Sequence, residues 1–315
     1  MKYRRLGRTD LRVSVVGLGT WQFGGEWGKA FSQDEVDRIL DRAKQLGINL
    51  LDTAECYGDH TSERLIGDCL ARRGDRADWV IATKFGHHFK GYNDRETVYD
   101  PPDVLRQLER SLRALRTDYV DVYQFHSGND EHFNTPGLWE MLNEQKRLGK
   151  VRHLGISISS GRENLNQTEA APRVGAEVIQ VLYNRLERGP EQRALPACRR
   201  LDLGVLSRVP LASGFLSGKY KPGTTFKHGD VRADQDPKKV EEKLREAERI
   251  RREEVPPGVD MAKWALAWCL RNEAVTSVIP GCKDVKQVES NAAAAELVND
   301  SHPLAWERRG CTSGG

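Results

Sequence analysis

Apolar positions in this chain come in short uninterrupted runs, and each run gives way to a stretch in which apolar residues recur every three or four positions. Runs at 15–18, 48–51, 79–84, 119–125, 152–157, 177–182, 203–208 and 276–279 have the length and composition of buried strands. The stretches between them carry helix signals. Ser32 and Glu35 form a capping box for a helix from Glu35 to Leu46, which stops at Gly47. Asp100-Pro101 and Thr135-Pro136 each cap a further helix with proline in its first turn, and Gly149 ends the second of them. Strands alternating with helices make a parallel sheet, and eight such units predict an α/β fold, the closed (β/α)8 TIM barrel.

Additions flank this rhythm. Residues 1–14 read as a β-hairpin, with Gly7-Arg8-Thr9-Asp10 as its turn, placed as a cap over one end of the barrel. A Gly-, Lys- and Asp-rich loop runs from Gly214 to Pro237, and extra C-terminal helices follow. Lys238 to Glu254 keeps one apolar stripe, Val240, Leu244, Ala247 and Ile250, on an otherwise solvated helix. Asp260 caps Met261 to Leu270, where Trp264, Leu266, Trp268 and Leu270 surround the axis and predict a buried helix. Residues 1–315 are read as one domain whose polar end, 300–315, is a flexible tail.

Composition narrows the function classes. The chain has 315 residues, 38% hydrophobic and 30% charged, within the range of a single α/β barrel. No apolar run approaches the roughly 18 residues of a membrane helix. A net charge of +3 is spread over interspersed signs, so neither nucleic acid nor membrane is expected as a partner; a small molecule is. Met1-Lys2-Tyr3-Arg4-Arg5 opens no signal peptide, which makes the cytoplasm the expected location. The six cysteines, Cys56, Cys69, Cys198, Cys269, Cys282 and Cys311, show no metal-ligand spacing and fit free thiols in a reducing compartment.

In a barrel of this kind the chemistry gathers where strands end at their carboxyl side. Asp52 and Tyr57 follow the second strand, Lys84 ends the third, His126 the fourth and Ser157 the fifth; Gln180 lies near the end of the sixth and Arg208 closes the seventh run. Singly, a lysine or histidine at such a place is more often structural. Together an acid, a phenol, an ammonium and an imidazole make a coherent set: Lys84 stabilises the phenolate form of Tyr57, Asp52 keeps Lys84 charged, and His126 holds a substrate oxygen against the phenol. The set protonates an oxygen while something else attacks carbon. Ile279 to Asn291 reads as a strand, a glycine turn and a helix start with Lys283 and Lys286 nearby, an arrangement suited to a phosphate.

These residues resemble the aldo-keto reductase family over nearly the whole chain. The matching stretches are Leu18-Gly19-Thr20-Trp21, Leu51-Asp52-Thr53-Ala54 through Tyr57-Gly58, Thr83-Lys84, Gln124-Phe125-His126, Gly155-Ile156-Ser157, Gln180 to Asn184, Pro210-Leu211-Ala212-Ser213-Gly214 and Ile279 to Asn291. The resemblance implies a catalytic tetrad of Asp52, Tyr57, Lys84 and His126, with Tyr57 as proton donor to an aldehyde or ketone. It implies a nicotinamide cofactor, NADP(H) with NAD(H) as the other candidate, bound without a Rossmann domain. Its contacts would come from Gly19, Thr20, Trp21, Asp52, Ser157, Gln180, Arg208, Pro210, Leu211, Ser213, Gly214, Lys219, Gly281, Lys283, Gln287 and Asn291. Of these, Gln180 would meet the nicotinamide amide, Arg208 the ring, Lys283 the 2′-phosphate, and Gln287 and Asn291 the adenine end. Two positions depart from the family pattern: Ile158 stands where relatives have asparagine, and Asp284 where relatives often have a second basic residue. Trp21, Trp27, Tyr57, His87 and His126 are expected to shape the substrate pocket. Two other classes compete: a metallohydrolase using His87, His88, His126 and His132, and a nucleotide-binding regulatory subunit resembling the potassium-channel β-subunits. The first is disfavoured because neighbouring His87 and His88 would point apart in extended backbone, and no metal site is expected.

Overall fold

The computed structural model describes residues 1–159, 165–299 and 301–304. In chain order the elements are β1 (Tyr3–Arg5), β2 (Arg12–Ser14), β3 (Leu18–Gly19), α1 (Gln33–Gln45), β4 (Leu50–Asp52), α2 (Thr61–Arg73), β5 (Val80–Phe85), β6 (His87–Gly91), β7 (Asp94–Thr97), α3 (Pro101–Leu115), β8 (Val120–His126), α4 (Asp130–Phe133), α5 (Leu138–Arg147), β9 (Val151–Ser157), α6 (Leu165–Ala170), β10 (Ala176–Leu182), α7 (Ala194–Arg200), β11 (Gly204–Arg208), α8 (Pro237–Glu253), α9 (Met261–Leu270), β12 (Ser277–Val278) and α10 (Val285–Ala292).

Eight strands form one parallel sheet in the order β3-β4-β5-β8-β9-β10-β11-β12. Parallel bridges Val16↔Val278 and Gly19↔Gly281 join its first and last strands, so the sheet curls round into the (β/α)8 barrel. The run at 15–18 is divided by this closure. Its end pairs with β4 as Leu18↔Leu51 and Gly19↔Asp52, while the Gly17 N–H donates to the Val278 carbonyl and the Val278 N–H to that of Val15. A single strand thus seals both sides of the seam.

The barrel interior changes character along its axis. Toward the amino ends of the strands it is apolar, with Leu50, Val80, Ala82, Val122, Val178, Leu206 and Ile279 packed together with Leu6, Leu11 and Val13 of the β1–β2 hairpin. The hairpin plugs that end because its turn fits closely: Gly7 sits at φ +57 with the Gly204 nitrogen 2.0 Å from where a Cβ would be. Toward the carboxyl ends the inward positions become polar, and the register sets Lys84 beside Gln124, His126 beside Ser157, and Ser157 beside Gln180.

Most helix signals act as read. Ser32 and Glu35 make both hydrogen bonds of the capping box, and Asp100 and Asp260 cap α3 and α9. The four stripe residues of α8 are buried against Phe215, Leu216, Met261 and Trp264. Thr135-Pro136 caps nothing. The Thr135 hydroxyl donates back to the His132 carbonyl to finish the short α4, and Gly137 is the N-cap of α5. Residues 87–97, which show no strand-like alternation in the sequence, form the antiparallel hairpin β6–β7, turning at Asn93 with φ +51. No helix among the described residues is long and apolar enough to cross a membrane. The tail expected at 300–315 lies outside the described residues except for 301–304, and Cys311 lies there too; the other five cysteines are free and buried.

Candidate active site

The carboxyl ends of the barrel strands open into a cleft of about 720 Å³. Every residue expected to contact a cofactor lines it except Ser157, which is buried beneath Gln180; Trp21, Trp27, Tyr57, His87 and His126 line it too.

At its floor Lys84 Nζ donates to three oxygens: Asp52 Oδ1 and the Thr53 carbonyl at 2.7 Å, and the Tyr57 hydroxyl at 3.0 Å. Strand geometry makes this meeting possible, since Asp52 ends β4, Lys84 lies near the end of β5, and the two strands are neighbours. The loop carrying Tyr57 is held from both sides. The Thr53 N–H donates to the Ala82 carbonyl, and Gly58, at φ +67, lies so close to Gly24 that a Cβ would sit 2.4 Å from the Gly24 oxygen. Trp21 stacks on the phenol with ring centroids 6.0 Å apart, and His126 meets it edge-on at 6.4 Å.

Asp52 is the hub of a second, buried network. Its Oδ2 accepts from Gln180 Nε2 at 2.6 Å and from Gln124 Nε2 at 3.2 Å, and Ser157 donates to Gln180 Oε1. Gln180 therefore ties down the carboxylate, a partner that sequence spacing does not reveal. Gln124, absent from the sequence-based site, is the second such brace.

Burial dominates the electrostatics. It pushes the Tyr57 phenol up to about 12 against the pull of Lys84, so the group stays protonated at neutral pH. Lys84 is raised above its ordinary value: desolvation opposes this, but Asp52 and Tyr57 outweigh it. Desolvation holds His126 well below its ordinary range and takes His87 down to about 4, so both imidazoles are neutral. His87 packs on His126 with centroids 4.6 Å apart, and Cys56 Sγ lies 3.9 Å from His126 Nδ1. The remaining histidines face elsewhere: His88 pairs with Glu55, and His132 stacks on Tyr99. Among the described residues no three His, Cys, Asp or Glu side chains are grouped to hold a metal.

Two arms extend from this floor. The short aromatic arm is braced by Glu26, a residue the sequence did not single out. Its carboxylate accepts from Trp21 Nε1 at 2.7 Å and from the Asn93 N–H at 2.9 Å, and pairs with Arg95. The only sequence signal is a lone acid within a glycine- and tryptophan-rich loop. The long arm runs past Gly281 to the start of α10. There Asp284 is the N-cap and accepts from the Gln287 N–H, Gln287 Oε1 accepts from the Lys283 N–H, and Lys283 Nζ donates to the Trp27 carbonyl at 2.5 Å. The loop after β11 folds across this arm, with Asp230 bridging to Trp27 and Arg232 donating to the Ser213 carbonyl.

A model of the aldo/keto reductase family matches residues 15–304. The uncharacterized oxidoreductase YrpG of Bacillus subtilis (strain 168) is 34% identical over 323 aligned residues, covering 96% of this chain and 94% of its own length. Among solved structures, the holo form of aldo-keto reductase AKR11C1 from Bacillus halodurans superposes with a TM-score of 0.77 at 31% identity, covering 94% of this chain and 91% of that one. The glycerol dehydrogenase AKR11B4 from Gluconobacter oxydans gives 0.77 at 28% identity, with 98% of both chains covered.

Proposed function

The chain belongs to the aldo/keto reductase family, and on that footing we propose that it reduces an aldehyde or ketone to the alcohol with NAD(P)H, NADP(H) being preferred. The observation that carries this reading is the Tyr57 hydroxyl, 3.0 Å from an ammonium that is itself locked to Asp52. A carbonyl oxygen placed on that hydroxyl receives the phenolic proton, and Lys84 stabilises the phenolate left behind. Neutral His126 serves as a hydrogen-bonding group beside the same oxygen and is not an acid at neutral pH.

The residues present fit a nicotinamide dinucleotide. The long arm leads from the tetrad to a helix start, and its lining carries buried polar atoms unpartnered among the described residues, Gln22 Oε1 and Arg208 Nε. When bound, the reduced nicotinamide supplies hydride to the carbonyl carbon while the carbonyl electron pair moves to the oxygen that Tyr57 protonates. Gln180, already fixed on Asp52, stands at the floor where the two arms meet. Lys283, near the start of α10, is the residue placed to favour a 2′-phosphate once released from the Trp27 carbonyl.

The test is consumption of NADPH with a panel of aldehydes and ketones by the wild-type chain and by Tyr57→Phe. Turnover that depends on the phenol is expected. Failure with every carbonyl, or turnover indifferent to the missing hydroxyl, rejects the assignment.

A further inference from the structure

The most unusual charge in the cleft is Arg208. It ends β11, lines the cleft where the two arms meet, and is half-buried, with a guanidinium Nε shut from solvent and unpartnered among the described residues. Among the described residues its Nη2 reaches only the Ile158 carbonyl, at 3.3 Å. No described carboxylate pairs with it. Asp52, whose charge acts on it after burial and Tyr57, is already engaged by Lys84, Gln180 and Gln124. The catalytic floor therefore holds two cations, Lys84 and Arg208, against one carboxylate, with His126 neutral beside them. Burial lowers the Arg208 pKa, as it must where a charge lacks a counter-ion.

The position gives this surplus charge a consequence. A carbonyl whose oxygen rests on Tyr57 extends into the short arm walled by Trp21, Trp27 and His87. The hydride donor must then reach its carbon from the other side, where the cleft wall is formed by Gln180 and Arg208 at the ends of β10 and β11. From there the lining of the cleft continues past Gly281 to Lys283 and, on α10, Gln287 and Asn291, along which the rest of a dinucleotide would lie. The two redox forms of such a cofactor are nearly the same molecule except at this ring, which is neutral when reduced and carries a positive charge when oxidised.

We propose that Arg208 makes the cleft discriminate between the redox states of its nicotinamide cofactor, binding the neutral reduced ring more tightly than the cationic oxidised one, so that the reduced cofactor loads and the oxidised one leaves in preference. The proposal rests on the nicotinamide reading above. A unit charge at about 5 Å, screened by an effective dielectric of about 20, corresponds to roughly a few hundredfold in affinity; allowing for relaxation of the ring and side chain, about tenfold is expected to survive. For a two-electron couple each tenfold in the affinity ratio raises the bound potential by about 30 mV.

The experiment measures the dissociation constants of NADPH and NADP+ separately, by calorimetry, for wild type, Arg208→Gln and Arg208→Lys. Contacts to the phosphates, riboses and adenine are common to both forms and cancel in the ratio Kd(NADP+)/Kd(NADPH), which isolates the ring. The ratio should fall about tenfold in Arg208→Gln and be retained in Arg208→Lys. Arg208→Met repeats the measurement should the glutamine variant fail to fold. An unchanged ratio, or two constants that move together, overturns the proposal and leaves the nicotinamide reading standing. Wild-type protein that binds neither dinucleotide overturns both.

Discussion

Replacing Lys84 by methionine tests the proposed chemistry at its centre. The ammonium lies 3.0 Å from the Tyr57 oxygen, and at an effective dielectric of about 20 a unit charge at that distance stabilises a full phenolate by about 5 kcal/mol. If the proton is half transferred in the transition state, about half of that is felt, so kcat should fall roughly a hundredfold. The same substitution strips Asp52 Oδ1 of its ion pair while Oδ2 keeps Gln124 and Gln180, and an orphaned buried charge costs on the order of 3–5 kcal/mol of stability. These two effects separate in the double variant Asp52→Asn/Lys84→Met, which removes the orphan. Its thermal midpoint should recover, and its kcat should not. Steady-state reduction at saturating NADPH, run beside thermal unfolding, reads both. A loss of less than tenfold in the single variant, or activity returning with stability in the double one, would refute the role given to Lys84.

Three further outcomes follow from the same geometry. Because burial holds Tyr57 near 12 as a neutral donor, the wild-type kcat for reduction should be flat between about pH 6 and pH 9; a fall with an apparent pKa near 7 would point to a different acid. His87 sits near 4 in the fold against an ordinary 6.5, so the unfolded chain binds the extra proton first and stability is lost as pH falls from about 6.5 toward 4. His126 and His302 are lowered as well, so His87→Asn should reduce the slope of that part of the stability–pH curve without abolishing it, and an unaltered slope would refute it. Glu26→Gln breaks the pair with Arg95 and weakens the hold on Trp21; it should raise KM for the carbonyl several-fold while leaving the NADPH dissociation constant within about twofold, and the reverse pattern would place Glu26 with the cofactor instead.

How much of this is legible in the sequence depends on the range of the interaction that decides each feature. Capping boxes, the α8 stripe and the strand runs are set by residues within one turn or one pleat of each other, and they appear where the pattern puts them. Thr135-Pro136 misleads because a competing local bond, Thr135 to the His132 carbonyl, completes α4 first. The β6–β7 hairpin hides for a different reason. His87 to Thr97 has no apolar alternation, and its order comes from Glu26 holding Asn93 and Arg95 from another loop. At the site, Asp52, Tyr57, Lys84 and His126 are recognisable because chemistry at strand ends converges in any barrel. The bonds that orient them are not. Gln180 reaching Asp52, and Lys283 reaching the Trp27 carbonyl, join residues far apart in the chain, and nothing in their local spacing announces the partner.

The two networks on Asp52 also explain why the floor tolerates a surplus cation. A carboxylate braced on one oxygen by two amides and on the other by Lys84 cannot swing toward Arg208 without leaving a buried donor unpaired, which costs about 1–3 kcal/mol for each group abandoned. Gln124 and Gln180 thus do more than orient the tetrad: by fixing Asp52 on Lys84 they keep the guanidinium uncompensated. Relaxing either brace would let Asp52 share its charge with Arg208, weakening at once the hold on Lys84 and any discrimination between cofactor redox states.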